Sequence, residues 1–228
     1  MTAAAEQIVS VDPDKAPVHG YLHHAENSAD FLVLTHGAGG NCNAPLLVAL
    51  ADCFAAAGVN TLRCDLPFRQ RRPTGPPSPS GAKLDQEGLR LALSLLRQRF
   101  TGRAFLGGVS YGGRQASMLV AAEPSLVDGL LLLSYPLHPP GRAAQLRTAH
   151  FPGVRTPTLF ISGTRDGFGS IAELEAAIKL IPAQTKLIPV QGAGHGLLQK
   201  SNREKLPREI VQEFLGVFEF NRNLAPDH

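Results

Sequence analysis

Ala104-Phe105-Leu106-Gly107-Gly108-Val109-Ser110-Tyr111-Gly112-Gly113-Arg114-Gln115-Ala116-Ser117-Met118-Leu119-Val120 is the stretch whose reading decides the fold. An apolar run of strand length, Ala104 to Val109, enters a G-x-S-x-G turn, and a helical run from about Gly113 to Ala122 leaves it. The glycines on both sides of Ser110 let the chain reverse sharply without a Cβ clash. A serine at such a turn stands exposed at the end of a strand. Its hydroxyl is a poor nucleophile at neutral pH and needs that position together with a neighbouring base. The pentapeptide alone also fits a glycine turn of purely structural purpose, and the flanking strand and helix favour the nucleophile reading.

Outward from this turn, β-rich apolar runs alternate with amphipathic stretches, the pattern of βαβ units around a mostly parallel sheet. Ile8 to Val11 and Val18 to Leu22 read as a leading antiparallel pair, and Phe31 to Thr35 as the first fully buried strand. A helix over about Ala44 to Ala57, closed by Gly58, precedes the strand Asn60 to Cys64. Leu66 to Gly81 is rich in proline and arginine and reads as a long loop. Leu84 to Phe100 reads as a helix with Leu84, Leu89, Leu91, Leu93, Leu95 and Leu96 mostly inward. Strands at Gly129 to Leu133, Thr158 to Ser162 and Lys186 to Val190, a helix at Ile171 to Ile181 and a last helix ending near Phe218 complete the pattern. The 228 residues are read as one domain, 1–228, with no internal repeat and no room for a large cap.

A nucleophile at such a turn takes its acid and then its histidine from later in the chain. Beyond the middle of that region stand His195 and the terminal His228. His195 sits in the flexible turn Gly192-Ala193-Gly194-His195-Gly196 after a strand, whereas a chain terminus is a poor place to hold a base. The acids between are Glu123, Asp128, Asp166, Glu173 and Glu175. Asp166 closes a strand in Gly163-Thr164-Arg165-Asp166-Gly167, at the sheet edge that carries Ser110, while Glu173 and Glu175 belong to a helix facing solvent. Its expected task is to fix the imidazole tautomer; an N-cap or Asx-turn role is the alternative. His36-Gly37-Ala38-Gly39-Gly40 follows the first buried strand, so the backbone amides of Ala38 and Tyr111 are the expected oxyanion donors. A phosphate loop is the rival reading of those glycines, but neither G-x-x-x-x-G-K-[ST] nor G-x-G-x-x-G is present.

Composition bounds the function. With 43% hydrophobic and 18% charged residues the chain is an ordinary globular protein, and a net charge of +3 is too small an excess to imply a nucleic-acid partner. No segment approaches the roughly 20 apolar residues of a membrane span, and Met1 to Gln7 does not read as a secretory signal. Cys42, Cys53 and Cys64 are odd in number and lack C-x-x-C spacing, which points to a reducing cytoplasm rather than to disulfides or zinc.

With these residues in place, the chain resembles the α/β-hydrolases of the dienelactone-hydrolase-like group, in particular the Tex30-related branch of predicted hydrolases. The resemblance rests on His36 to Gly40, Arg63 to Phe68 with Arg71-Arg72-Pro73, Gly108 to Arg114, Leu133 to Gly141, Leu146 to His150 and Ile161 to Asp166. It implies an α/β-hydrolase fold with helices on both faces of the sheet and the same Ser110, Asp166 and His195 set, and it implies no substrate. Dienelactone hydrolases proper use cysteine as nucleophile, so their lactone substrate is not carried over to Ser110. Relatives often place an acidic residue beside the histidine, where this chain has Gly-His-Gly.

The expected activity is hydrolysis of an ester, thioester or related acyl bond in a small molecule through an acyl-enzyme, with no metal or organic cofactor. An interaction protein that kept the scaffold and lost catalysis, and a serine peptidase, are the alternatives. Arg69, Arg71 and Arg72 could receive an anionic substrate, Arg71 and Arg72 being the candidate binding residues; a solvated loop surface is the plainer reading. His138 is a further candidate contact, with turn packing beside Pro139 and Pro140 as its alternative. His19, His23 and His24 read as surface, without the acidic partner and the four ligands of a metal site.

Overall fold

The computed structural model describes residues 5–10 and 17–220; Val11 and His228 lie outside the described residues. One eight-stranded sheet runs in the order β1-β2-β4-β3-β5-β6-β7-β8. Its strands are β1 (Glu6–Ser10), β2 (Val18–His23), β3 (Phe31–Thr35), β4 (Asn60–Asp65), β5 (Ala104–Val109), β6 (Gly129–Leu133), β7 (Thr158–Gly163) and β8 (Thr185–Val190). β2 is antiparallel to β1 and to β4, and every pairing from β4 through β8 is parallel.

The central strands are apolar without a break because both faces are covered. Pleating sends alternate side chains to opposite layers. In β3, Phe31 and Val33 join Leu89, Leu93, Leu96 and Leu119 on one side. Leu32 and Leu34 join Leu47, Leu50, Phe54, Ile210 and Phe214 on the other. α3 (Ala82–Arg97) and α4 (Tyr111–Ala122) supply the first layer, and α1 (Pro45–Ala56) and α6 (Lys205–Phe220) the second.

After β3 the chain crosses to β4 on one side, and it later returns to place β5 on the other. Thr35 pairs with Gly108, so the loops that leave β3 and β5 start side by side. Such a switch point opens a crevice at the carboxyl ends of parallel strands.

The expected loop at 66–81 is partly helical. α2 (Pro67–Arg71) opens it and a 3₁₀ turn (Pro79–Gly81) closes it. Proline disrupts a helix interior, but at the first helical position its missing N–H is not needed, and Pro67 stands there. The helix expected over Ile171 to Ile181 is α5 (Ile171–Ala177) continued by a 3₁₀ turn, Ile178–Leu180; its start is a capping box between Ser170 and Glu173. His23, expected at the surface, is buried at the end of β2, where Nδ1 meets Asp52 Oδ1 at 2.9 Å and Nε2 accepts from Arg63 Nε at 2.9 Å. Among the described residues, no helix is long and apolar enough to cross a membrane.

Phe214 ties α6 to α1 and to the sheet by edge-on contacts with Phe54 and Phe105, ring centroids 4.9 and 5.0 Å away. Phe214→Ala is expected to lower the unfolding free energy by about 3–5 kcal/mol, because the cavity cannot collapse among rigid rings. Urea denaturation would register this as a lower midpoint at unchanged slope.

Candidate active site

Ser110 lies between β5 and α4 with a positive φ of 51°, a conformation that a residue with a Cβ adopts at a cost. The surroundings hold it there. Ser110 N–H donates to the Leu133 carbonyl at 2.8 Å, and Arg114 N–H donates to the Ser110 carbonyl at 2.9 Å. A Cβ on Gly108 would stand 2.6 Å from the Gly112 carbonyl carbon, and one on Gly112 would stand 2.4 Å from the His36 oxygen. The flanking glycines are therefore required by close backbone approach. Tyr111 begins the helix, so its N–H has no partner within it.

Asp166 and His195 come from the ends of β7 and β8, held together by their backbones. Thr164 N–H donates to the Val190 carbonyl at 3.1 Å, Arg165 N–H to the Ala193 carbonyl at 2.9 Å, and Gly192 N–H to Thr164 Oγ1 at 2.9 Å. The buried Asp166 carboxylate accepts from Phe168 N–H at 2.9 Å and meets His195 Nδ1 at 2.8 Å. Phe168 stacks on the imidazole with ring centroids 4.1 Å apart. His195 Nε2 lies 2.7 Å from Ser110 Oγ. With Nδ1–H donating to Asp166, Nε2 is left to accept the serine proton.

The loop after β3 closes the other side. The Gly37 carbonyl accepts from Gly40 N–H at 3.1 Å and from His36 Nδ1 at 2.8 Å. A trans peptide sets its N–H opposite its C=O, so the Ala38 N–H points away from these bonds. Ala38 and Tyr111 both line a cavity of about 990 Å³ with Ser110 and His195. His36 Nε2 accepts from Leu66 N–H at 3.1 Å, and burial holds its pKa below the ordinary value, so it bridges two strand ends as a neutral ring.

Arg71, Arg72 and His138 do not line this cavity. Arg71 and Arg72 are exposed at the end of α2, and His138 is buried with Nδ1 on the Pro139 carbonyl at 2.9 Å. The 66–81 segment faces the cavity with Pro76, Pro77 and Pro79 instead. Arg69 is buried, giving its guanidinium to the carbonyls of Ala38, Gly40, Arg72 and Gly75. It fastens α2 to the glycine loop.

The acidic partners missing from the local spacing of His19 and His24 come from distant segments. His19 Nδ1 meets Asp65 Oδ2 at 3.0 Å, and His24 Nε2 meets Glu6 Oε2 at 2.7 Å. His19, Cys42 and Asp65 offer three donors within 4.8 Å of one another, a group able to hold a metal ion with one position open. Asp65 Oδ1 also accepts from Cys42 N–H at 2.6 Å, and burial pushes the Cys42 thiol up to about 12. The group thus binds itself well without a metal.

Asp85 belongs to no motif of the sequence. It lies on the buried stripe of α3, one turn before Leu89, where a charge on an apolar face is the available signal. Its carboxylate accepts from Phe68 N–H at 2.9 Å and from Tyr111 Oη at 2.7 Å, while burial holds its pKa above the usual carboxylate range. Ser117 and His150 form another unforeseen pair, Oγ to Nε2 at 2.8 Å.

Residues 28–218 match the family described as an alpha/beta hydrolase domain. Among solved structures, the chain is similar to a dienelactone hydrolase from Anabaena variabilis, with 20% identity and a TM-score of 0.73 over 94% of this chain and 99% of that one. It is similar to Est1E from Butyrivibrio proteoclasticus, with 17% identity and a TM-score of 0.73 over 95% and 100%. It is also similar to an α/β serine hydrolase without lid from Xanthomonas campestris, with 16% identity and a TM-score of 0.68 over 100% and 98%. Among curated proteins, a polyketide synthase of Burkholderia thailandensis is 44% identical over 50 residues, 22% of this chain and 2% of that protein.

Two outcomes are expected here. Asp85→Ala removes the acceptor of Tyr111 Oη and Phe68 N–H, and is expected to destabilise the protein by about 1–3 kcal/mol, measured by urea denaturation. Burial, reinforced by the Arg114 charge, pushes His150 down to about 4 from 6.5. The unfolded chain then binds the proton at higher pH than the folded one, so stability falls as pH drops through that window. His150→Gln should flatten the fall in a pH series of thermal melts.

Proposed function

The chain belongs to the alpha/beta hydrolase domain family, and from that premise we propose that it is a serine hydrolase of a small acyl compound, cleaving an ester, thioester or related bond. The observation that carries the proposal is the continuous relay Asp166–His195–Ser110, with contacts of 2.8 and 2.7 Å. As Ser110 Oγ attacks the carbonyl carbon, His195 Nε2 takes its proton, and Asp166 stabilises the imidazolium without itself being protonated. The oxyanion that develops is received by the backbone N–H groups of Ala38 and Tyr111, donors held in place before the reaction. Collapse breaks the bond to the leaving alcohol or thiol, which leaves with the proton from His195. Water, activated by the same imidazole, then releases the acid and restores Ser110.

The scheme needs no metal and no organic cofactor, and it treats 1–228 as a single catalytic domain. Cytoplasmic placement belongs to the same proposal, supported by the free thiols of Cys42, Cys53 and Cys64.

A fluorophosphonate probe tests the assignment. One equivalent should attach to the folded protein, and none to Ser110→Ala. Turnover of an activated ester by that variant should fall by about ten-thousandfold or more. A folded wild-type protein that takes no label would instead be a scaffold without catalysis, and amide cleavage exceeding ester cleavage would make it a peptidase.

A further inference from the structure

The cavity at Ser110 is lined by three arginines, Arg114, Arg147 and Arg203, and among the described residues by no aspartate or glutamate. Most of the remaining wall is glycine, proline and aliphatic, including Leu46, Leu47, Pro76 and Met118. Arg203 is exposed at the surface, whereas Arg114 and Arg147 are partly buried.

Arg114 lies one helical turn after Ser110, in the first turns of α4. A cation there opposes the positive end of the helix dipole. Its Nε is buried with no hydrogen-bond partner, and neither Arg114 nor Arg147 has an ion pair among the described residues. Buried donors of a native protein are almost always satisfied, so the Arg114 Nε stands out as one to which the described residues offer no acceptor. The adjacent Gln115 is fully buried, with Oε1 accepting from Gln86 at 2.9 Å and Nε2 without a partner.

Arg147 is fixed by contacts within the stretch after β6. Its N–H donates to the Leu137 carbonyl at 2.8 Å, its carbonyl accepts from Tyr135 Oη at 2.6 Å, and its Nη1 reaches the Pro136 carbonyl at 3.3 Å. Two arginines thus line one cavity, and among the described residues no aspartate or glutamate lines it with them.

We propose that Arg114 and Arg147 form the subsite for an anionic oxyacid group of the substrate, a carboxylate or a phosphate, whose apolar linker lies along the proline and leucine wall. This rests on the serine-hydrolase reading of Ser110 and adds the substrate class. Guanidinium forks match planar or tetrahedral oxyanions through paired N–H donors. Arg114, Arg147 and Ser110 line the same cavity, so one ligand in it can meet the arginines with its anionic end and Ser110 with its carbonyl. Burial and the Arg114 charge hold the Arg147 pKa below its ordinary value, a repulsion that a bound anion would relieve.

The test compares para-nitrophenyl hexanoate, the para-nitrophenyl half-ester of adipic acid and its ω-phosphonate analogue. Wild-type protein should prefer one of the charged esters over hexanoate by roughly ten- to hundredfold in kcat/KM, the worth of a charge-assisted contact. Preference for the half-ester identifies a carboxylate, and preference for the phosphonate a phosphate. In Arg147→Gln and in Arg114→Gln the ratio of charged to neutral ester should fall towards one, and Arg147→Lys should keep part of it. A wild-type preference for hexanoate, or a ratio untouched in both glutamine variants, overturns the proposal. Calorimetric titration of Ser110→Ala with adipate and with inorganic phosphate separates the two readings. Binding of one of them, lost on adding Arg147→Gln, supports the anion subsite even if no ester is turned over and the hydrolase reading fails. Binding of neither overturns the subsite whatever the esterase result.

Discussion

At the carboxyl end of β5 the backbone of Gly108 lies against Gly112 and Gly113, and Gly112 lies against the His36 carbonyl, at separations that leave no space for a methyl group. This three-way backbone contact sets α4 close against the sheet, and with it Ser110 in a positive-φ conformation. Side chains at those glycines would lift the helix off the strands, and the Ser110 hydroxyl would no longer meet the imidazole of His195. The glycine loop after β3, the start of α4 and the serine are therefore one mechanical unit.

Around that unit the polar groups divide by depth. The Asp166 carboxylate is buried behind His195, bonded to Phe168 N–H and to the imidazole, and it does not line the cavity. Asp85 is buried behind Tyr111. The acids thus support the site from behind, and the cavity wall keeps hydroxyl, imidazole, amide and guanidinium groups in a largely apolar lining. Such a surface favours negative charge near the serine, where the oxyanion of acyl transfer would form.

The segment after β4 shows how one stretch serves both packing and the cavity. Pro67 starts α2, Phe68 packs edge-on against Tyr111 with ring centroids 5.6 Å apart, and Arg69 takes the carbonyls of the glycine loop. The later prolines form part of the cavity wall. Proline lacks a donor N–H and has little conformational freedom to lose, so it can form a wall over an apolar ligand at small entropic cost.

Much of this was legible from residue order. Unbroken apolar runs at Phe31, Ala104, Gly129 and Thr158 announce strands covered on both faces, and the glycine spacing around Ser110 announces the turn, because both are local consequences of sterics and burial. The order Ser110, Asp166, His195 nominated the residues that the fold brings together. Arg71, Arg72 and His138 were nominated by residue type and position, yet they lie outside the cavity, since the turn of α2 and the packing of the Tyr135–Pro140 stretch decide which side chains face it. Arg114, Arg147, Asp85 and the His23–Asp52 pair were not singled out, although Asp85 on an apolar stripe was a usable sign. By itself the sequence determined the strand–turn–helix elements and the chemical types available; only the tertiary structure decided which cations line the cavity and which are solvated, because local periodicity is written in consecutive residues whereas the partners of a charge come from segments tens of residues away.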